Sequence, residues 1–234
     1  MNCICLISIG KNYLLQYSLP SIEQYCKKYN IALTVIDKAF YNLPKRDNYN
    51  YLTFEKFQVY NLFNDFDWVL RLDADIIIKP DCPDIFKNKN PNLVYAVRED
   101  IGERQKNRLG QIKAIKKDFG AIPWKNNYIN SGVVLSHHKT KKIYKLTNDD
   151  LEKIHSRSLG YFKEQNLLNW KINNLNYQVI DLGYKYNYLK AYQDEGYSKN
   201  NAYIIHYAGK QSVKEENMRK DFNKWFKKIN TIQT

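Results

Sequence analysis

The sequence predicts a single α/β domain with a largely parallel central sheet. Three observations predict it. Short apolar, β-branched runs alternate with longer stretches of helical spacing along the whole chain. No internal repeat, low-complexity linker or shift in composition divides the 234 residues, so one domain over 1–234 is expected. Hydrophobic residues at 44% and charged residues at 26% supply a core of that size and exclude a disordered chain.

Each element has its own signal. Asn2–Ile9 is apolar and closed by Gly10, a buried strand. Tyr13 to Tyr29 places Leu14, Tyr17, Ile22, Tyr25 and Cys26 near helical spacing, with Pro20 inside it. Ala32–Ile36 is a second strand. Thr53 to Phe63 reads as a helix with Phe54 and Phe57 inward. Trp68–Leu72 is a strand running into Asp73-Ala74-Asp75, and Ile76–Ile78 continues it until Pro80. Leu93–Val97 is the next strand, and the basic, polar stretch from Gly102 to Lys117 is a helix or a loop that orders on binding. Tyr128–Ser136 is a strand, Lys139 to Ile154 and Phe162 to Ile172 are helical, and Tyr177–Asp181 and Tyr203–Tyr207 are short strands. Residues 214–229 form a terminal basic, amphipathic helix.

No apolar run approaches the roughly 18–20 residues of a membrane span. The first run, Cys3–Ile9, lacks a basic leader and a cleavage site, so no signal peptide is expected. The four cysteines have neither metal-ligand spacing nor the density of a disulfide framework, as expected of reduced thiols in a cytoplasmic protein. The net charge is +13, which draws anionic partners without naming one. No nucleic-acid-binding module accompanies the lysine-rich stretches, so a nucleic-acid partner is not expected.

With fifteen Asp in the chain, about one Asp-x-Asp arises by chance. There are two, and context separates them. Asp65 and Asp67 stand in a turn between a helix and a strand, an ordinary place for Asp. Asp73 and Asp75 end an apolar strand, where ligands of α/β sheets bind. Two carboxylates converging there repel unless a cation joins them, and hard oxygen ligands suit Mn²⁺ or Mg²⁺. His206 ends a second apolar strand and completes a three-ligand metal set. Gly209 and Lys210 follow it, a glycine that lets backbone approach a phosphate and a lysine that meets its charge.

Taken in order, these motifs resemble glycosyltransferase family 8 over nearly the whole chain. The matching segments are Leu6–Tyr13 with Ser18–Ile22, Lys56, Val69–Ile76, Tyr95–Asp100 with Glu103–Gln105, Asn130-Ser131-Gly132, Glu164–Asn169, Tyr184–Asn187 and His206–Gly209. The resemblance implies a GT-A fold: one Rossmann-like nucleotide-diphospho-sugar transferase domain with a mixed, mainly parallel sheet. It implies a UDP-sugar donor, a glycan or glycolipid acceptor and hexose transfer. It places Ser8 in the nucleotide-binding loop, with Tyr13 as the candidate to stack on the base, the alternative being a core tyrosine. Lys56, Asn130, Glu164 and Gln165 would hold the donor sugar. Three departures stand out. Glu164 replaces the usual Asp, Ser212 stands at the family's lysine so that Lys210 or Lys214 would substitute, and the following Pro-Trp is missing.

A retaining reaction needs no dedicated base. An inverting one does, and Asp100 or Glu164 would supply it. A metal-dependent nucleotidyltransferase or sugar-nucleotide binder shares the Asp pair without requiring Asn130-Ser-Gly. The terminal helix offers a further choice. Met218, Phe222, Trp225, Phe226 and Ile229 share one face flanked by lysines, which either packs on the domain or meets an anionic membrane.

Overall fold

The computed structural model describes residues 1–41, 43, 51–209 and 211–226. Its centre is a six-stranded sheet in the order β2-β1-β3-β6-β5-β7. The strands are β1 (Asn2–Ile7), β2 (Ala32–Ile36), β3 (Trp68–Asp73), β5 (Val94–Arg98), β6 (Ile129–His137) and β7 (Val179–Asp181). β6 is antiparallel to both its neighbours, β3 and β5, and the other pairings are parallel.

Alternation along the strands buries both faces, as a covered sheet requires. Cys3, Cys5 and Val69 point into one apolar cluster, beneath α3 (Arg104–Phe119) and α5 (Lys163–Asn174). Ile4, Leu6, Leu70 and Leu72 point into the other, beneath α1 (Leu15–Tyr29). α1 runs through Pro20, and on either side of it the hydroxyl of Ser18 bonds the Leu14 carbonyl and that of Ser21 bonds the Ser18 carbonyl. The stretch from Gly102 is a true helix, with Arg108, Ile115 and Phe119 as its buried residues.

Three sequence expectations are corrected. Ile76–Ile78 does not continue β3. It is a separate strand, β4, which pairs antiparallel with β8 (Ile204–His206) in a two-stranded ribbon. The expected helix from Thr53 is a 3₁₀ segment, Tyr51–Gln58, followed by the single turn α2 (Val59–Leu62). The expected helix from Lys139 breaks in two, a 3₁₀ segment His138–Tyr144 and α4 (Asn148–Ser156). The break is a capping box: Thr147 Oγ1 accepts the Asp150 N–H, and Asp150 Oδ2 accepts the Thr147 N–H.

The terminal helix α7 (Gln211–Phe226) packs beside α1, and its apolar face joins a cluster that also holds residues of α6 (Lys190–Asp194). Met218 is fully buried, Phe222 meets Tyr17, and Lys79 lies over the Trp225 ring. The apolar face that could have met a bilayer is used in packing. Ile229 and the lysines at 227 and 228 lie outside the described residues. Among the described residues no helix is long and apolar enough to cross a membrane.

Candidate active site

β1 and β3 run side by side, with Ile7 opposite Asp73. The chain leaving β1 and the acidic end of β3 therefore open into one cleft of about 360 Å³. Ser8, Asn12, Lys56, Asp73, Asp75 and Lys214 are among its walls. The β3–β4 junction is a turn at Ala74 and Asp75 rather than continuous strand. That turn sends β4 to β8, where Ile76 faces His206 and the Tyr207 N–H bonds the Asp75 carbonyl. Pairing of the small ribbon thus delivers the histidine to the two carboxylates. His206 Nε2 lies 3.2 Å from Asp75 Oδ1 and 3.8 Å from Asp73 Oδ2.

Cations surround this acidic centre. Lys56 Nζ sits 2.8 Å from Asp73 Oδ1 and 3.4 Å from Glu164 Oε2. The wholly buried Arg71 gives Nη1 to Asp73 at 3.0 Å. Lys214 Nζ lies 2.6 Å from Asp75 Oδ2. Burial works against ionising Asp73, but Lys56, Arg71 and His206 outweigh it and hold its carboxyl below the usual range. Burial is also the largest influence on Asp75, where His206 and Lys214 prevail in the same direction. Burial disfavours a charged His206 first, yet Asp75 and then Asp73 raise it above the ordinary imidazole value.

The second half of the site comes from β6 and α5. The Gln165 amide is tied at both ends. Its Oε1 accepts the Ser131 N–H at 2.9 Å and the Asn130 Nδ2 at 3.3 Å. Its Nε2 donates to Glu99 at 2.8 Å and to the Tyr128 hydroxyl at 3.2 Å. Glu164 Oε2 accepts from Ser131 Oγ at 3.3 Å, while its Oε1 is buried with no hydrogen-bond partner. Ser8 also has a buried, unpartnered hydroxyl at the cleft wall. Orphaned polar groups of this kind are rare in folded proteins and call for a partner from water, an ion or a ligand.

The remaining expected residues fall as follows. Tyr13 is 63% exposed beside the cleft-lining Asn12 and Leu14, which excludes its core alternative. Gly209 has a φ of 132°, in the region that favours glycine. Lys210 lies outside the described residues; Lys214, the other expected substitute, reaches Asp75. Asp100 is held elsewhere, with Oδ1 on Arg98 Nε and Oδ2 on the Tyr128 N–H. Its neighbour Glu99, which sequence reasoning passed over, meets Gln165 and is paired to Arg108 at 2.7 Å. Arg71 and Asn187 were also missed as site residues. The signal for Arg71 was a charge inside an otherwise apolar strand.

A second cluster, Asp67, His137 and His138, gathers at the opposite end of β3. Two of its three groups already have partners. Asp67 takes the N-terminal ammonium, and His137 Nδ1 accepts the Lys139 N–H as a helix cap.

Comparison with known proteins bears on the family and the fold. The family model described as glycosyl transferase family 8 matches residues 8–214. No curated protein matches the sequence. Among solved structures, the galactosyltransferase LgtC in complex with donor and acceptor sugar analogs superposes with a TM-score of 0.66 at 15% identity, over 96% of each chain. A glycosyltransferase involved in glycosylation of the major capsid of PBCV-1 superposes at 0.61 and 19% identity, over 93% of this chain and 99% of that one. Mouse xyloside xylosyltransferase 1 gives 0.51 at 14% identity, over 90% and 98%. At these identities the structural likeness speaks for the fold.

Proposed function

The chain belongs to glycosyltransferase family 8, and from that membership we propose that it moves a hexose from a UDP-sugar to a hydroxyl of a glycan or glycolipid, with retention and with a divalent cation. It is a glycosyltransferase of the GT-A fold. One observation carries the finer reading: Asp73, Asp75 and His206 converge from two strand ends and a turn to bring their ligand atoms within 4.8 Å of one another, with both carboxylates in the wall of the cleft. Two carboxylates and an imidazole fit Mn²⁺ or Mg²⁺. Bound there, the cation supplies Lewis-acid charge to the diphosphate that departs.

The protein's own groups share the remaining work. Lys214, beside Asp75, places an ammonium at the same end of the cleft to meet phosphate charge. Ser8 and Asn12 line the nucleotide side, where the exposed Tyr13 ring is free to cover the base. Lys56 spans Asp73 and Glu164, so it joins the phosphate side to the sugar side. The unmet Oε1 of Glu164 accepts a donor-sugar hydroxyl, and Gln165 holds Asn130 and Ser131 in place beneath it. A second cleft of about 290 Å³ also has Lys214 in its wall and adds Tyr188, Lys190, His206 and Tyr207; it takes the acceptor.

The state of Asp100 disfavours inversion through that residue. Both its oxygens are committed to Arg98 and Tyr128, which leaves it poorly placed to act as a base. The acceptor proton then passes to the departing phosphate oxygen.

A donor screen with Mn²⁺, reading UDP release and then the anomeric configuration of the product by NMR, tests the proposal. The expected result is UDP release that stops in EDTA. Full activity in EDTA overturns the metal reading, and an inverted product overturns retention. Pyrophosphate release from a nucleoside triphosphate would instead mark a nucleotidyltransferase.

A further inference from the structure

A relay of hydrogen bonds runs from Glu99 to the candidate metal ligand His206, and each link has only one direction open to it. Three groups fix those directions because each can play only one role. Backbone N–H groups only donate, and an ionised carboxylate only accepts. The Ser131 N–H donates to one end of the Gln165 amide at 2.9 Å, so that end is the oxygen. The other end, Nε2, donates to the Glu99 carboxylate at 2.8 Å. The Gly132 N–H donates to one end of the Asn130 amide at 2.8 Å, so that end is Oδ1. Its Nδ2 faces Gln165 Oε1 at 3.3 Å.

Asn187 is fully buried between this pair and the histidine. The atom it turns to Asn130 Oδ1, 2.9 Å away, must be a donor and is therefore Nδ2. The atom left for His206 is Oδ1, an acceptor, 3.1 Å from the ring's Nδ1. The ring must supply the hydrogen of that bond. A neutral imidazole carries one N–H, so Nε2 is left with its lone pair bare. Nε2 is the atom 3.2 Å from Asp75 Oδ1. The opposite tautomer would set Nδ1 and Asn187 Oδ1 face to face as two acceptors with no third group to join them, whereas a cation can stand between the bare Nε2 and Asp75 Oδ1.

We propose that Asn187 is a positioning residue that fixes His206 in the Nδ1–H tautomer and so aims the Nε2 lone pair at the cation. Its own amide is set by Asn130, Gln165 and the backbone of Ser131 and Gly132. The Asn-Ser-Gly run and the Tyr-Lys-Tyr-Asn run, far apart in sequence, act here as one device. The proposal rests on the reading of His206 as a metal ligand. An outer partner of this kind orients the ligand ring and raises its basicity.

Two measurements on the full chain test it. The first is long-range ¹H–¹⁵N correlation NMR of ¹⁵N-histidine-labelled, metal-free protein at a pH where the ring is neutral. The chain has four histidines, and a His206→Gln variant assigns the signal. The expected pattern is a pyrrole-type Nδ1 and a pyridine-type Nε2. The reverse pattern, or a fast mixture, overturns the proposal.

The second is Mn²⁺ affinity from the EPR signal of free Mn²⁺. Asn187→Ala should bind Mn²⁺ about 10–100-fold more weakly. Asn187→Asp keeps an acceptor toward Nδ1 and should retain more of the affinity. Unchanged affinity in a folded Asn187→Ala overturns the proposal. A wild-type chain that binds no Mn²⁺ would defeat the metal reading instead, and the NMR experiment then decides the tautomer by itself. It also decides if the alanine variant does not fold.

Discussion

A Cβ built on Gly132 would stand 2.2 Å from Cε1 and 2.5 Å from Nδ1 of His206. The middle strand of the sheet and the end of the small ribbon touch there with no room for a methyl group. His206 is buried, and a shift of its ring would break the bond from Nδ1 to Asn187.

Gly132→Ala should therefore displace the imidazole from Asp73 and Asp75. The expected outcome is Mn²⁺ affinity weakened by about 10–100-fold with the far-UV circular dichroism of the wild type. Wild-type affinity in this variant would show that the ring is not held where the structure puts it.

Removing the cation or its ligands should stop the reaction. Asp75→Ala is expected to lower turnover by about a hundredfold or more, the scale of losing a main charge-stabilising group. UDP release from the best donor, assayed with saturating Mn²⁺, checks it.

Metal affinity should depend on pH in a defined direction. His206 is raised above its ordinary value by Asp75 and Asp73, and the cation must displace its Nε2 proton. Affinity should therefore climb with pH and level off only above the raised histidine value. Without metal the sign reverses for stability. The ion pairs of charged His206 are fully present below its unfolded value of about 6.5 and are lost as pH rises through the folded one. Asp75, held low despite burial, contributes stability above its unfolded value of about 3.9, lost only in strong acid. Calorimetric Mn²⁺ titrations and thermal melts across neutral pH test both signs.

Gln165→Ala should reduce turnover far more than UDP affinity, because its bonds go to Asn130, Ser131 and Glu99 rather than toward the nucleotide side. Gln165→Glu would set a carboxylate against Glu99 where a donor now sits 2.8 Å away. Adding Glu99→Gln to that variant restores one donor and one acceptor and should return part of the lost rate. If the double variant is no faster than Gln165→Glu, the Glu99 link is not what positions this amide.

Met218→Ala should cost about 2–5 kcal/mol, the range for truncating a fully buried side chain. Deleting 214–234 should lower the melting temperature sharply, because Asp221 also ties Lys199 and the Tyr207 hydroxyl to the helix. A folded truncation that has merely lost binding to anionic liposomes would restore the membrane reading of this helix.

The alternation of apolar runs and helical stretches, with Asp73, Asp75 and His206 at strand ends, was enough to determine the α/β class, the place of nearly every strand along the chain and the candidate metal set. Those features depend on local pattern, which a sequence carries directly. What tertiary structure alone decided depends on which segments become neighbours. Ile76–Ile78 is as apolar as the strand before it, and only the turn at Ala74 and Asp75 sends it to pair with Ile204–His206. Glu99 and Asp100 are adjacent acids beyond the end of β5, and the backbone there turns one toward Gln165 and the other toward Arg98 and Tyr128. Asn187 closes the Tyr184–Asn187 run that carries part of the family resemblance, but nothing in that run announces its place between Asn130 and His206. A hydrogen bond's direction is fixed by both of its partners, and these residues, 19 and 57 positions from Asn187 along the chain, meet it only when β6 and β8 are brought together.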